Sequence, residues 1–109
     1  MNFTWLPAFL RPLQRSPTRQ YQIDVETHHM ALYHLPLCGY CLRVRRAIWR
    51  LNLHIELRNV AKQPRWAQEL RQAGGKMQLP CLQIRHPDYT EWLYESEDII
   101  SYLRVRFER

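Results

Sequence analysis

The stretch Met30-Ala31-Leu32-Tyr33-His34-Leu35-Pro36-Leu37-Cys38-Gly39-Tyr40-Cys41 decides how the rest of the chain is read. Met30 to Leu35 is an apolar run, short for a helix and the right length for a buried strand. Pro36 ends it. From Cys41 the period changes. Cys41, Leu42, Val44, Ala47, Ile48 and Leu51 recur at spacings of three and four, the apolar stripe of an amphipathic helix reaching Leu53. Arg43, Arg45, Arg46 and Arg50 fall mostly on its solvent side. A C-x-x-C pair therefore sits where a strand hands over to a helix. Free N–H groups and the dipole at a helix N-terminus favour an anion, so Cys38 is expected to be a thiolate near neutral pH. Cys41, one turn on and on the same face, can attack a mixed disulfide formed at Cys38. The alternative is half of a zinc site, but His28, His29 and His34 supply no second ligand pair at the usual spacing.

Downstream, His54 to Val60 alternates as a strand does. Pro64 suits the first turn of a helix through Trp66, Ala67 and Leu70, which Gly74-Gly75 stops. Cys81 to Ile84 and Glu91 to Tyr94 are strands joined by the turn His86-Pro87-Asp88-Tyr89. Ser96 reads as the N-cap of a last helix, with Glu97 and Asp98 in its first turn. Ile99, Ile100, Leu103 and Phe107 form that helix's stripe. The order is β-α-β-α-β-β-α, an α/β domain. The first two strands are parallel through a crossover and the last two form a hairpin, so the four-stranded sheet is mixed. Local sequence alone makes Pro80 a trans proline opening a strand. Trp49, Trp66 and Trp92 are expected to pack in or against the core, and Cys81 to be a buried small hydrophobe, with a third redox thiol as the alternative.

Upstream, residues 1–29 read as an extension to a domain of residues 30–109. Pro7, Pro12 and Pro17 keep any helix in the first 20 residues short, and Ile23 to Glu26 is a short polar lead. Phe3, Trp5, Leu6, Phe9, Leu10 and Leu13 mix with Arg11, Arg15 and Arg19. Such a segment is either a terminal tail, frayed or packed on the domain, or an interfacial anchor that touches an anionic membrane. Its apolar part precedes its basic part and no small-residue cleavage site follows, which argues against a secretory leader. No apolar run approaches the roughly 20 residues that span a bilayer. Sixteen Lys and Arg against ten Asp and Glu give a net charge of +6, and three cysteines are an odd number for a disulfide framework. A reducing, cytoplasmic setting follows, either free or at the inner face of a membrane. The arginines of the first helix lack the aromatic platform that nucleic-acid binding uses, so no nucleic-acid partner is expected.

Leu32-Tyr33 before Cys38-Gly39-Tyr40-Cys41, then Gly74-Gly75-Lys76, Leu79-Pro80 and Tyr94-Glu95-Ser96-Glu97-Asp98-Ile99, in this order over residues 30–107, resemble the glutaredoxin family and also the N-terminal domain of glutathione transferases. The resemblance implies a thioredoxin-like fold, with Pro80 cis and beside Cys38. It implies a glutathione-dependent thiol–disulfide oxidoreductase acting on protein–glutathione mixed disulfides or protein disulfides, with Cys38 and Cys41 catalytic. It implies glutathione as co-substrate, its cysteine part paired to the Leu79 backbone next to Pro80. Its γ-glutamyl end would lie against Glu95, Ser96 and Glu97. For the glycine carboxylate the matching positions are Lys62, Gln63 and Arg65. Tyr40 either lines this groove or packs.

Two positions depart from the family pattern. Leu35 stands where many members carry a lysine, with Arg45 the substitute charge or simply a solvated residue. Gly39 stands where many have proline, which loosens the turn. Some glutaredoxins with a small residue there resemble [2Fe–2S] carriers, in which Cys38 would ligate a cluster shared by two protomers and two glutathiones. A third alternative is a non-catalytic module that residues 1–20 direct to a membrane or a partner.

Overall fold

A computed structural model describes residue 3 and residues 5–109. After a 3-10 turn at Ala8–Leu10, the elements are α1 (Pro17–Thr27), β1 (Met30–His34), α2 (Gly39–Arg50), β2 (Glu56–Asn59), α3 (Pro64–Ala73), β3 (Cys81–Arg85), β4 (Thr90–Tyr94) and α4 (Ser96–Phe107). From β1 onward this is the expected β-α-β-α-β-β-α order of a thioredoxin-like fold. The sheet order is β2-β1-β3-β4, with β2 parallel to β1 and both other pairings antiparallel.

Strand alternation divides the core. Met30 and Leu32 of β1, Leu82 and Ile84 of β3, and Leu93 of β4 face one side. There they meet Val44, Ala47 and Ile48 of α2 and Ile99, Leu103 and Phe107 of α4. Tyr33, Cys81, Trp92 and Tyr94 face the other side and pack with Leu70 and Trp66 of α3. Each fully buried Leu or Ile contributes about 1.5–3 kcal/mol to this three-layer arrangement. The α3 side also holds a polar network. Arg58 Nη1 donates to Tyr33 Oη at 2.6 Å and to Glu69 Oε1 at 2.8 Å. The Tyr33 hydroxyl donates to Glu69, and Gln83 Nε2 donates to Tyr33 Oη at 3.4 Å. The Arg58 guanidinium also lies 4.4 Å from the Trp66 ring centroid.

Several expectations are corrected. The polar lead at 23–26 lies in the C-terminal half of helix α1. Ser16 caps it, its hydroxyl accepting from Arg19 N at 3.2 Å, and Pro17 supplies the first helical residue. Proline is harmless there because that N–H has no helical partner. Ile23 is fully buried in the main core. Of the residues before α1, Met1, Asn2 and Thr4 lie outside the described residues. The rest approach the end of α2: Leu13 N donates to Arg50 O at 2.7 Å, and Asn52 Nδ2 donates to Leu13 O at 3.2 Å. Arg15 ties three places together, donating to Phe107 O and to Arg109 O (2.9 Å), to Asn52 O (3.5 Å) and to Gln20 Oε1 (3.0 Å). The last helix is capped by Glu95, without a side-chain bond, and Ser96 is its first residue. The Leu79–Pro80 bond is cis, against the local reading and as the resemblance implied. Trp49 is exposed rather than core, because Val44, Ala47 and Ile48 already complete the buried face of α2.

Candidate functional site

Strand register brings the predicted residues to one end of the sheet. His34, which ends β1, pairs with Asn59, which ends β2. Tyr33 pairs with Cys81, which opens β3, and Cys81 pairs with Tyr94, which ends β4. The four connections that leave this end carry Cys38 to Cys41, Lys62 and Gln63, Leu79-Pro80, and Glu95 to Glu97. Residues separated by up to about half the chain thus emerge from one edge because of two antiparallel pairings and one parallel pairing.

Cys38 is the N-cap of α2, and its Sγ accepts from Cys41 N at 3.4 Å. It is partly exposed, and all three cysteines are free thiols. Partial burial pushes the Cys38 thiol up, but hydrogen bonds from the Cys41 thiol and from the Cys41 and Tyr40 backbone N–H groups outweigh it, and the net result lies below the ordinary thiol value. Cys41 is fully buried, and burial pushes it up to about 11, aided by the neighbouring Cys38. The pair is therefore split into an accessible nucleophile and a protonated, shielded partner. Arg45, the candidate substitute for the missing lysine, exerts its charge on Cys41 and His34; no such effect reaches Cys38. Tyr40, in the first turn of α2, is 63% exposed.

Glu95 adopts φ +71°. Non-glycine residues pay about 1–3 kcal/mol for such backbone, and the strain tends to collect at functional positions. Its carboxylate accepts from Gln78 Nε2 at 2.9 Å, which links the segment before Pro80 to the start of α4. Ser96 is buried, and the first N–H groups of α4 have no helical acceptor. Glu97 is bound by Arg43 of α2 across the surface. Lys62 and Gln63 are exposed at the start of α3. Asn59 Oδ1 accepts from Ala61 N and Lys62 N, at 3.0 and 3.2 Å, and fixes that turn. Gln63 Oε1 accepts from Arg65 Nε at 2.9 Å, and the Arg65 guanidinium lies 4.3 Å from the Trp66 centroid, so this arginine is engaged locally. Cys81 is fully buried with its thiol pushed up to about 12 by desolvation, the behaviour of an inert core residue. Sequence reasoning missed Gln78, whose signal was its place one residue ahead of Leu79-Pro80. It also missed Leu37, which precedes Cys38 and is 95% exposed.

Among the described residues no group of three or more His, Cys, Asp or Glu side chains is arranged to hold a metal ion, and no helix is long and apolar enough to cross a membrane.

The family model described as "Glutathione S-transferase, N-terminal domain" matches residues 32–109. No curated protein sequence matches the chain. Among solved structures, maleylacetoacetate isomerase from Anaeromyxobacter dehalogenans aligns at 29% identity and TM-score 0.56, over 73% of this chain and 36% of its own. Human glutathione-S-transferase T1-1 aligns at 26% and 0.58, over 72% and 32%. Glutathione transferase Omega 1C from Trametes versicolor shares 14% identity at TM-score 0.61, over 74% and 38%, a likeness of fold. The chain thus spans about a third of the length of these proteins. The isomerase is also known with glutathione bound in its active site.

Proposed function

The chain belongs to the glutathione S-transferase N-terminal domain family, a match that is not specific to glutaredoxins, and from the C-x-x-C pair at the start of α2 we propose that it is a glutathione-dependent thiol–disulfide oxidoreductase of glutaredoxin type, working through the Cys38 thiolate in a cytoplasmic setting. The carrying observation is the split between Cys38, hydrogen-bonded at the start of α2 and lowered, and Cys41, buried and raised. A helix N-terminus can stabilise an anion whatever its purpose; a second thiol one turn on gives that anion something to do.

In the proposed reaction, Cys38 S⁻ attacks the glutathionyl sulfur of a protein–glutathione mixed disulfide. The Cys38–S–SG bond forms, the old S–S bond breaks, and the protein leaves as a thiolate that takes a proton from solvent. A second glutathione, as its thiolate, attacks Cys38–S–SG, releases oxidised glutathione and restores Cys38 S⁻. Alternatively, Cys41 loses its proton and attacks Cys38, releasing glutathione and leaving a Cys38–Cys41 disulfide, the route open to protein disulfides. The high value for Cys41 favours the first route. For glutathione, the N–H groups opening α4 and the Ser96 hydroxyl suit the α-carboxylate, Glu95 suits the α-ammonium, and Lys62 or Gln63 suits the glycine carboxylate. The backbone of Leu79 suits the cysteine part. Glu97, engaged by Arg43, is the weakest member of the set. In this reading residues 30–109 carry the chemistry, and the extension at residues 1–29 packs on them through Ile23 in the main core. For a [2Fe–2S] cluster the chain offers iron one accessible thiolate, Cys38, and no observation favours that reading over the redox one.

The test is reduction of a small glutathione mixed disulfide, coupled to glutathione reductase. Wild type and Cys41→Ser are expected to turn over, and Cys38→Ser to fall to background. Activity retained without Cys38 refutes the proposal.

A further inference from the structure

The outer surface of α2 is not used by the chemistry proposed for Cys38, yet this helix carries Arg43, Arg45, Arg46 and Arg50 and no acid. The groove between α2 and α4 is lined by Arg11, Arg43, Arg46, Arg50 and Arg104. Only Glu97 and Glu108 oppose them there, and Glu97 is already paired with Arg43. The Arg46 and Arg104 side chains have no hydrogen bond or ion pair among the described residues. Arg46 also borders a second groove, on the β2 side of α2, with Leu42, Trp49 and Leu57, all exposed.

The N-terminal segment lies at the same place. Arg50 donates to Phe9 O, Ala8 lines the arginine groove, and Phe3 meets the Trp49 ring edge-on at 5.5 Å between centroids. The turn at Ala8–Leu10 buries none of its residues. Trp5 is 76% exposed and Phe9 68%, with Leu10 also in solvent. Residues 1–20 contain no Asp or Glu. Exposed Trp and Phe beside unpaired guanidinium groups match the interfacial layer of a bilayer with anionic headgroups. There the rings sit at the acyl boundary and the arginines meet phosphate.

We propose that the outer face of α2, together with the segment around Trp5 to Leu10, docks on an anionic lipid bilayer. Arg46, Arg50 and Arg104 contact the headgroup phosphates, and Trp5, Phe9 and Leu10 enter the interface. Nucleic acid shares the charge requirement and could stack on Trp5 and Phe9, but the exposed aliphatic Leu10 and Leu42 beside them gain only from an acyl layer. The docking is independent of the redox proposal.

The experiment is flotation of the full chain with vesicles of equimolar phosphatidylglycerol and phosphatidylcholine, against vesicles of phosphatidylcholine alone. Wild type and Cys38→Ser are expected to float with the anionic vesicles and not with the neutral ones. Arg46→Ala with Arg104→Ala is expected to weaken binding roughly fivefold per arginine removed. Trp5→Ala with Phe9→Ala is expected to weaken it by at least as much. All four side chains are exposed, so unchanged thermal melting shows that the variants fold. No flotation with anionic vesicles, equal flotation with neutral ones, or flotation that survives both pairs of substitutions overturns the proposal.

Discussion

Cys38 and Cys41 are joined by a hydrogen bond from the Cys41 backbone N–H to Cys38 Sγ, yet their thiol pKa values are displaced in opposite directions. The bond and the burial act on different atoms. The first stabilises the Cys38 anion, and the second excludes water from Cys41. Alkylation by iodoacetamide as a function of pH separates them. Cys38 is expected to react with a midpoint below the ordinary thiol value, and Cys41 to resist until about pH 11. Cys41→Ala removes one donor to Cys38 and is expected to raise the Cys38 midpoint. Identical midpoints for the two thiols would contradict the assignment of nucleophile and partner.

Cys81 gives a prediction about stability. Its folded value is about 12 and that of Cys41 about 11, against an ordinary 9.0. The folded protein therefore keeps two protons that the unfolded chain gives up first. Their contribution is complete below about pH 9 and is lost as pH rises towards the folded values. Melting temperature is expected to fall across this range, and less steeply in Cys81→Ala. Cys81→Ala is also expected to keep glutathione-dependent turnover; loss of turnover in a folded variant would revive the idea of a third redox thiol.

The strained Glu95 turn bears on affinity for glutathione. Hydrogen bonds to charged groups are worth about 1.5–3 kcal/mol. Glu95→Ala is accordingly expected to raise the KM for glutathione by roughly 10- to 100-fold, with a smaller change in kcat. Lys62→Ala is expected to act in the same direction and more weakly, because its side chain is exposed. A KM left unchanged by both would remove the proposed orientation of the tripeptide while leaving Cys38 intact.

Across the sheet from α2, Arg58 serves the hydroxyl of fully buried Tyr33, the Glu69 carboxylate and the Trp66 ring at once. Arg58→Met keeps the stem and removes the donors. It is expected to cost about 1–3 kcal/mol, since buried Tyr33 and half-buried Glu69 each lose one donor. Denaturant unfolding measures this, and an unchanged midpoint would mean that solvent replaces the guanidinium without loss.

Gly74 is a packing position. A Cβ there would stand 2.5 Å from Tyr94 Oη, which already donates to Lys76 O at 2.9 Å. Gly74→Ala is expected to destabilise by about 1–3 kcal/mol through overpacking. At Gly75 a Cβ meets nothing, but φ is +94°, so its substitution acts through backbone strain alone. A melting temperature unchanged in Gly74→Ala would show that both Tyr94 and the Leu70 carbonyl, 2.6 Å from that Cβ, give way freely.

Much of the fold was legible because its signals are local and periodic. The stripe from Cys41 through Val44 to Ile48 and the alternation around Leu57 need only neighbouring residues. What escaped depended on distant partners or backbone angles. Helix α1 has only Ile23 and Thr27 buried, too sparse a stripe to detect, although Ser16 before Pro17 is a start signal. Ser96 was displaced by Glu95 as cap because a positive φ leaves no mark in composition. Trp49 is apolar but redundant on its helix. The cis state of Pro80 was visible only through the order of several motifs, and the Gln78–Glu95 bond joins residues that no local window contains. At the candidate site, the C-x-x-C placement was legible, and the division of roles by burial was not.

The Arg15 side chain has a consequence for how the molecule opens. It holds the end of α4 through Phe107 O and Arg109 O, the turn after α2 through Asn52 O, and the first turns of α1 through Gln20. Three peripheral segments that would otherwise fray one by one share a single latch. Their amide protons should therefore exchange with deuterium at a common rate, as one cooperative unit, so that local fluctuation here is an all-or-none event.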